Sequence, residues 1–241
     1  MAQTEMLNLP VSDGTTMGAF IARPAGDSPQ AGILVFQEAF GVNAHIRDVC
    51  GRLAGEGFIA LAPELYHRTA PGFEGRYDDF NSILPHIQAL TEAGLEADIR
   101  AAYQALIAEP RLDRSRVVSI GFCMGGRISF LADSILPLRA SVSLYGGGIA
   151  PNPMTPGLLG RAKDLHAPIL MFWGGLDKHI TPEQHRAVVD ALRAAQKPFV
   201  NVEFSQADHG FFCDARPSYN PVAAKHAWGL TLAFLRTHLE G

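Results

Sequence analysis

The segment Gly121-Phe122-Cys123-Met124-Gly125-Gly126 has the spacing of a reactive turn. It follows the β-branched run Arg116–Ile120 and precedes a helical pattern. A nucleophile on a tight strand-to-helix turn needs small residues two positions before and after it. Larger side chains there would strike the adjoining backbone. Here the nucleophile would be Cys123, and a helix N-terminus at that point favours thiolate. The structural alternative is a buried cysteine beside packing glycines. A thiol of ordinary pKa is only a few per cent thiolate at neutral pH, so it needs a base. His209, in Asp208-His209-Gly210-Phe211, follows the last strand pattern, and Asp177 ends Gly174-Gly175-Leu176-Asp177 after another. The order Cys123, Asp177, His209 is the nucleophile–acid–histidine order expected of such a turn on a parallel sheet. His209 would take the thiol proton, and Asp177 would hold the imidazole in the right tautomer. Asp177 could instead be a turn residue. Asp208 is a second candidate acid, although adjacent side chains rarely face each other. His179 and His185 raise the question of a metal, but no ligand cluster with zinc spacing completes the set. Neither a metal nor a cofactor is expected.

Gln37-Glu38-Ala39-Phe40-Gly41-Val42-Asn43 follows the first central strand. An oxyanion hole on such a sheet uses the amide after the nucleophile and one from this loop, which points to the N–H groups of Met124 and Ala39. Glu38 is a carboxylate with no obvious structural partner in the sequence. Its bland role would be solvation or pairing with a local arginine such as Arg127.

The elements that must position these groups can be read from apolar runs and caps. Strands are expected at Met17–Ala22, Gly32–Gln37, Phe58–Ala62, Arg116–Phe122, Ala140–Tyr145, Pro168–Trp173 and Phe199–Phe204. Helices are expected at His45–Glu56 with Gly57 closing it, at Glu92–Glu109, and from the cysteine turn to Asp133. Two more open on Thr181-Pro182 and Asn220-Pro221, running to about Gln196 and His238. The segment Glu64–Pro85 is irregular, and a loop this long is usually functional or mobile. The sum is an α/β fold, a mostly parallel sheet of about eight strands flanked by about six helices. Chemistry on such sheets sits beyond the carboxyl ends of the strands.

Composition excludes several classes. Hydrophobic residues make up 47% and charged residues 18%, which is neither a disordered nor a collagen-like chain. Twenty basic against 24 acidic residues leave a net charge of −4, against the basic face a nucleic-acid binder needs. Three cysteines do not make a disulfide framework, and Cys50 reads as core. No apolar run is long enough to cross a bilayer, and the start shows no signal-peptide pattern. The expectation is one cytoplasmic domain over residues 1–241, a monomer or weak homodimer that binds neither membrane nor nucleic acid.

The motifs Gln37–Asn43, Pro63-Glu64-Leu65-Tyr66, Gly121–Gly126, Gly174–Asp177 and His209-Gly210-Phe211 together resemble the dienelactone hydrolases (carboxymethylenebutenolidases) of the α/β-hydrolase superfamily. They run in order along almost the whole chain. The resemblance implies that Cys123, Asp177 and His209 form a triad. It also implies that Glu38 takes the thiol proton when substrate arrives. Family members hold the substrate carboxylate with arginines, one of them four residues after the histidine. That position here is Cys213. Arg76, Tyr77 and Arg216 are the substrate-binding candidates that remain. The implied activity is hydrolysis of lactones or activated esters through a thioester acyl-enzyme. The rival readings are a broad carboxylesterase unrelated to dienelactone, a thiol-dependent glyoxalase or amidotransferase-like enzyme, and a non-catalytic small-molecule binder on the same fold.

Overall fold

A computed structural model describes residues 2–26 and 30–240. Met1, residues 27–29 and Gly241 lie outside the described residues. The strands are β1 (Gln3–Pro10), β2 (Thr16–Arg23), β3 (Gln30–Phe36), β4 (Phe58–Pro63), β5 (Leu112–Phe122), β6 (Ser141–Leu144), β7 (Ile169–Gly174) and β8 (Phe199–Phe204). The helices are α1 (Ala44–Gly55), α2 (Leu84–Gln88), α3 (Glu92–Ile107), α4 (Met124–Ile135), α5 (Pro182–Ala194) and α6 (Pro221–Leu239). The sheet order is β1-β2-β4-β3-β5-β6-β7-β8. The contacts cluster into two compact units, Met1–Val118 and Ser119–Gly241.

In the first unit, β1 and β2 form an antiparallel hairpin, β2 pairs antiparallel with β4, and β4 lies parallel to β3. The apolar runs of β3 and β4 are buried almost end to end, as strands covered on both faces must be. α1 starts where Asn43 accepts the N–H of Ile46, and it ends at Glu56 with Gly57 following at φ +96°. The expected closing glycine thus lies one residue past the cap. Cys50 is fully buried on α1, and burial pushes its thiol pKa well up.

In the second unit, the end of β5 and strands β6, β7 and β8 are paired in parallel. α5 opens on a full capping box: Thr181 accepts the N–H of Gln184, and the Gln184 side chain accepts the N–H of Thr181. Asn220 caps α6 from one side only, its side chain accepting the N–H of Ala223.

Three sequence expectations need revision. β1 was not foreseen, because most of its side chains are exposed and carry no burial alternation. The irregular segment Glu64–Pro85 gives way at Leu84 to the short helix α2. β6 stops at Leu144, because Tyr145 leaves the extended region at φ 40°. No helix among the described residues is long and apolar enough to cross a membrane.

Candidate active site

The sharp turn between β5 and α4 holds Cys123 at φ 54° and ψ −118°. That conformation costs a non-glycine residue about 1–3 kcal/mol and persists only where surrounding contacts enforce it. The enforcing contacts are backbone ones. The Cys123 N–H donates to the Leu144 carbonyl at 3.0 Å, and the Cys123 carbonyl accepts the Gly126 N–H at 2.9 Å. A Cβ on Gly121 would run into the carbonyl of Gly125, and one on Gly126 would press on Gly146 and the Leu144 carbonyl. The glycines of the motif are therefore a steric condition for the turn. The sulfur is half-buried at the start of α4.

Asp177 and His209 reach the sulfur from two neighbouring strand ends. The Gly175 N–H donates to Phe204 and the Leu176 N–H to Ala207, which laces the loop after β7 to the loop after β8. Side chains on Gly174 or Gly175 would strike the Ala207 carbonyl or the Ser205 backbone, so this lacing needs the glycine pair. Asp177 then serves two ends. One carboxylate oxygen accepts the N–H groups of His179 (2.7 Å) and Ile180 (3.1 Å), and the other lies 2.7 Å from His209 Nδ1. The opposite ring nitrogen, Nε2, lies 3.1 Å from Cys123 Sγ. Asp208 instead accepts the backbone N–H of His209 at 2.6 Å, and the ring Nδ1 meets Asp177 rather than Asp208.

The electrostatics agree with that geometry. His209 is 8% exposed, and burial alone would disfavour its charged form. The Cys123 sulfur charge and the Asp177 hydrogen bond outweigh burial and push the imidazole pKa up to about 10. Burial also opposes the charge on Asp177, but the bond to His209 and the two backbone donors keep its pKa below the ordinary carboxylate value. The raised imidazole pKa and the lowered carboxyl pKa both favour an imidazolium beside the Asp177 carboxylate.

Two neighbours are not assigned to this site by the sequence, which marks Tyr145 only as a strand end and His179 only as a candidate metal ligand. Tyr145 is fully buried, with its ring edge-on to His209 at 5.2 Å and to Phe211 at 5.2 Å. His179 is exposed and touches the His209 ring at 5.3 Å. The available signal for Tyr145 was its place at a strand's carboxyl end before Gly146-Gly147-Gly148. Neither His179 nor His185 joins a group of three or more metal-ligating side chains among the described residues.

The family whose model matches residues 17–239 is described as the dienelactone hydrolase family. The chain belongs to the dienelactone hydrolase family. A Synechocystis protein provisionally named carboxymethylenebutenolidase is 34% identical over 99% of this chain and 98% of its own. An Escherichia coli K12 protein with the same provisional name is 37% identical over 94% of this chain and 84% of its own. A crystal structure of a Klebsiella pneumoniae protein, provisionally named dienelactone hydrolase, matches with TM-score 0.89 and 34% identity. It covers 98% of this chain and 99% of that one. A dienelactone hydrolase-like promiscuous phosphotriesterase from metagenomic libraries matches at 0.81 and 25%, covering 97% and 98%.

The other candidates of this dienelactone hydrolase family member can now be placed. Met124, the residue after the cysteine, is the first of α4. Ala39 and Glu38 lie in the loop after β3, where the Ala39 carbonyl accepts the Tyr66 hydroxyl at 3.0 Å. Glu38 is fully buried, so the solvated role is excluded. Tyr77 braces that loop: its hydroxyl accepts from Asn43 at 2.9 Å, and its ring lies 4.5 Å from Phe40. Arg76 is exposed and forms a two-pronged pair with Asp78 in its own turn. Arg216 lays its guanidinium against Gly210, the residue after His209. Cys213 is buried.

Proposed function

We propose that this chain is one hydrolase domain over residues 1–241 that opens lactones and cleaves activated esters through Cys123. The observation that carries the reading is the unbroken chain from Asp177 Oδ2 to His209 Nδ1 and from His209 Nε2 to Cys123 Sγ, at 2.7 and 3.1 Å. The thiolate attacks the carbonyl carbon, and a C–S bond forms. The N–H groups of Met124 and Ala39 are assigned to the oxyanion. When the C–O bond breaks, the alkoxide or enolate takes the proton from the His209 imidazolium. His209, now neutral, removes a proton from water as the water adds to the thioester. The C–S bond then breaks, and thiolate and carboxylic acid are released. Glu38 is assigned the first proton transfer from the thiol, as the family resemblance implies. His209 carries its own proton before attack, and the Glu38 proton returns to sulfur once the acid has left. Tyr77 and Arg216 are the groups we assign to substrate, with Arg76 a weaker candidate because Asp78 already uses its charge.

A thiolate leaves a tetrahedral intermediate more readily than most alkoxides do. Substrates with poor leaving groups therefore return to starting material, and esters and enol lactones are expected to outrun matched amides. The test is pre-steady-state hydrolysis of p-nitrophenyl acetate. The wild-type protein should release a burst of nitrophenolate stoichiometric with enzyme, and Cys123→Ala should show neither burst nor turnover. Turnover retained in Cys123→Ala refutes the assignment. Ligand binding without turnover in the wild type would favour the non-catalytic reading.

A further inference from the structure

One buried titratable ring stands outside the proposed chemistry. His185, on the first turns of α5, is 8% exposed, and both of its ring nitrogens are buried without a hydrogen-bond partner. Its ring stacks on Trp173, with centroids 4.4 Å apart and planes 22° from parallel. Trp173 is anchored in turn, because its indole N–H donates to Asn201 on β8 at 2.6 Å. Trp173 immediately precedes Gly174, so the loop carrying Asp177 starts at this indole and ends at the Thr181 cap of α5. The Trp173–His185 stack therefore joins the two ends of the acid loop.

We propose that His185 is a positioning residue for Asp177, closing the acid loop while its ring is neutral and releasing it when protonated. The inference rests on the role given above to Asp177. The charged groups facing the ring are Glu203 on β8, Asp177 in the loop and Glu183 on α5. The nearest ion-pair contact is Nδ1 to a Glu203 oxygen at 3.9 Å, beyond hydrogen-bond range. A protonated ring would hold two buried N–H donors with no acceptor in place, a costly arrangement. It would gain by turning off the indole toward Glu203 or water, and the loop would lose its tie. Burial pulls the ring's pKa below the ordinary histidine value, against the pull of the three carboxylates.

The experiment pairs activity with fluorescence. His185→Phe keeps a flat ring on Trp173 and cannot be protonated, whereas His185→Ala removes the stack. At pH 8, His185→Phe should keep kcat for p-nitrophenyl acetate within about twofold, as a swap of similar volume allows. His185→Ala should lose about tenfold to 100-fold, the scale of a misplaced catalytic group. On acidification the wild type should show an activity loss that His185→Phe lacks. Trp173 fluorescence, read in a Trp228→Phe background, should titrate over the same pH range and stop doing so once His185→Phe is added. This signal needs no turnover, so it tests the device even if the hydrolase reading fails. Identical acid limbs in wild type and His185→Phe, an undiminished kcat in His185→Ala, or a fluorescence titration that survives His185→Phe would each overturn the proposal.

Discussion

At the residue scale, Asp177 ties a loop and an imidazole together, and the proposed mechanism gives the second contact a chemical task. Its two oxygens divide the work: one holds the loop through two backbone N–H groups, and the other holds the imidazole. Asp177→Asn separates the tasks. The amide oxygen can keep both backbone donors, and the amide NH2 then faces His209 Nδ1. The ring is forced into the tautomer that presents a proton toward the base position. We expect kcat to fall by about 10^4-fold, as for the same change in a serine triad. The melting temperature should stay close to that of the wild type. Steady-state kinetics with thermal denaturation checks this, and a melting loss as large as the activity loss would show that only the loop role was real.

At the element scale, the junctions after β5, β7 and β8 do the positioning, and glycine permits each close approach. The β5–α4 junction is the most demanding. Gly121→Ala would place a methyl group where the Gly125 carbonyl lies, and neither backbone can yield without moving Cys123. Overpacking of this kind costs about 1–3 kcal/mol. Gly121→Ala is therefore expected to lower the midpoint of urea unfolding and to lose the acylation burst together. Gly55→Ala, in the last turn of α1, meets no atom within 4 Å and serves as the control that should spare the burst. A burst unchanged in Gly121→Ala would show that the turn tolerates the side chain and that the glycine is incidental.

At the scale of the whole molecule, buried titratable groups set how stability responds to pH. Asp133, at the end of α4, is fully buried and accepts the Ser141 hydroxyl at 2.5 Å and the N–H groups of His166 and Ala167 at 3.0 and 2.9 Å. Burial pushes its carboxyl up to about 7 from 3.8, against those hydrogen bonds. The folded state thus holds this proton more tightly than the unfolded chain. Asp133 contributes stability below about pH 4 that is lost as pH rises through about 7. His209 acts in the same direction at higher pH, contributing stability below 6.5 that is lost as pH rises toward 10. His185 acts oppositely, since its lowered value makes stability fall as pH drops below 6.5. Melting temperature measured against pH should therefore decline on the alkaline side. Asp133→Asn keeps acceptors for the backbone donors without a charge, and it should flatten the part of the profile between pH 4 and 7. A profile unchanged by that substitution would mean that Asp133 titrates alike in the folded and unfolded states.

Local order in the chain determined much of this protein. The elbow spacing, the Thr181-Pro182 and Asn220-Pro221 caps and the wholly apolar strands are near-neighbour features, so residues a few positions apart reveal them. The order of Cys123, Asp177 and His209 could be read as well, because each follows a strand and the carboxyl ends of parallel strands share one edge. The edge strand β1 was hidden, since exposure on both faces removes the burial pattern that marks a strand. The fate of Glu38 was equally hidden, because burial is a property of what surrounds a loop. Only the tertiary structure decided which acid meets His209. Asp208 is adjacent in sequence but is turned to its own backbone, whereas Asp177, 32 positions away, is brought to the ring by the lacing of two loops. The same packing laid His185 flat on Trp173 and Tyr145 against the His209 imidazole. Spacing along the chain fixes the parts, but the angles between side chains come from the packed backbone that carries them.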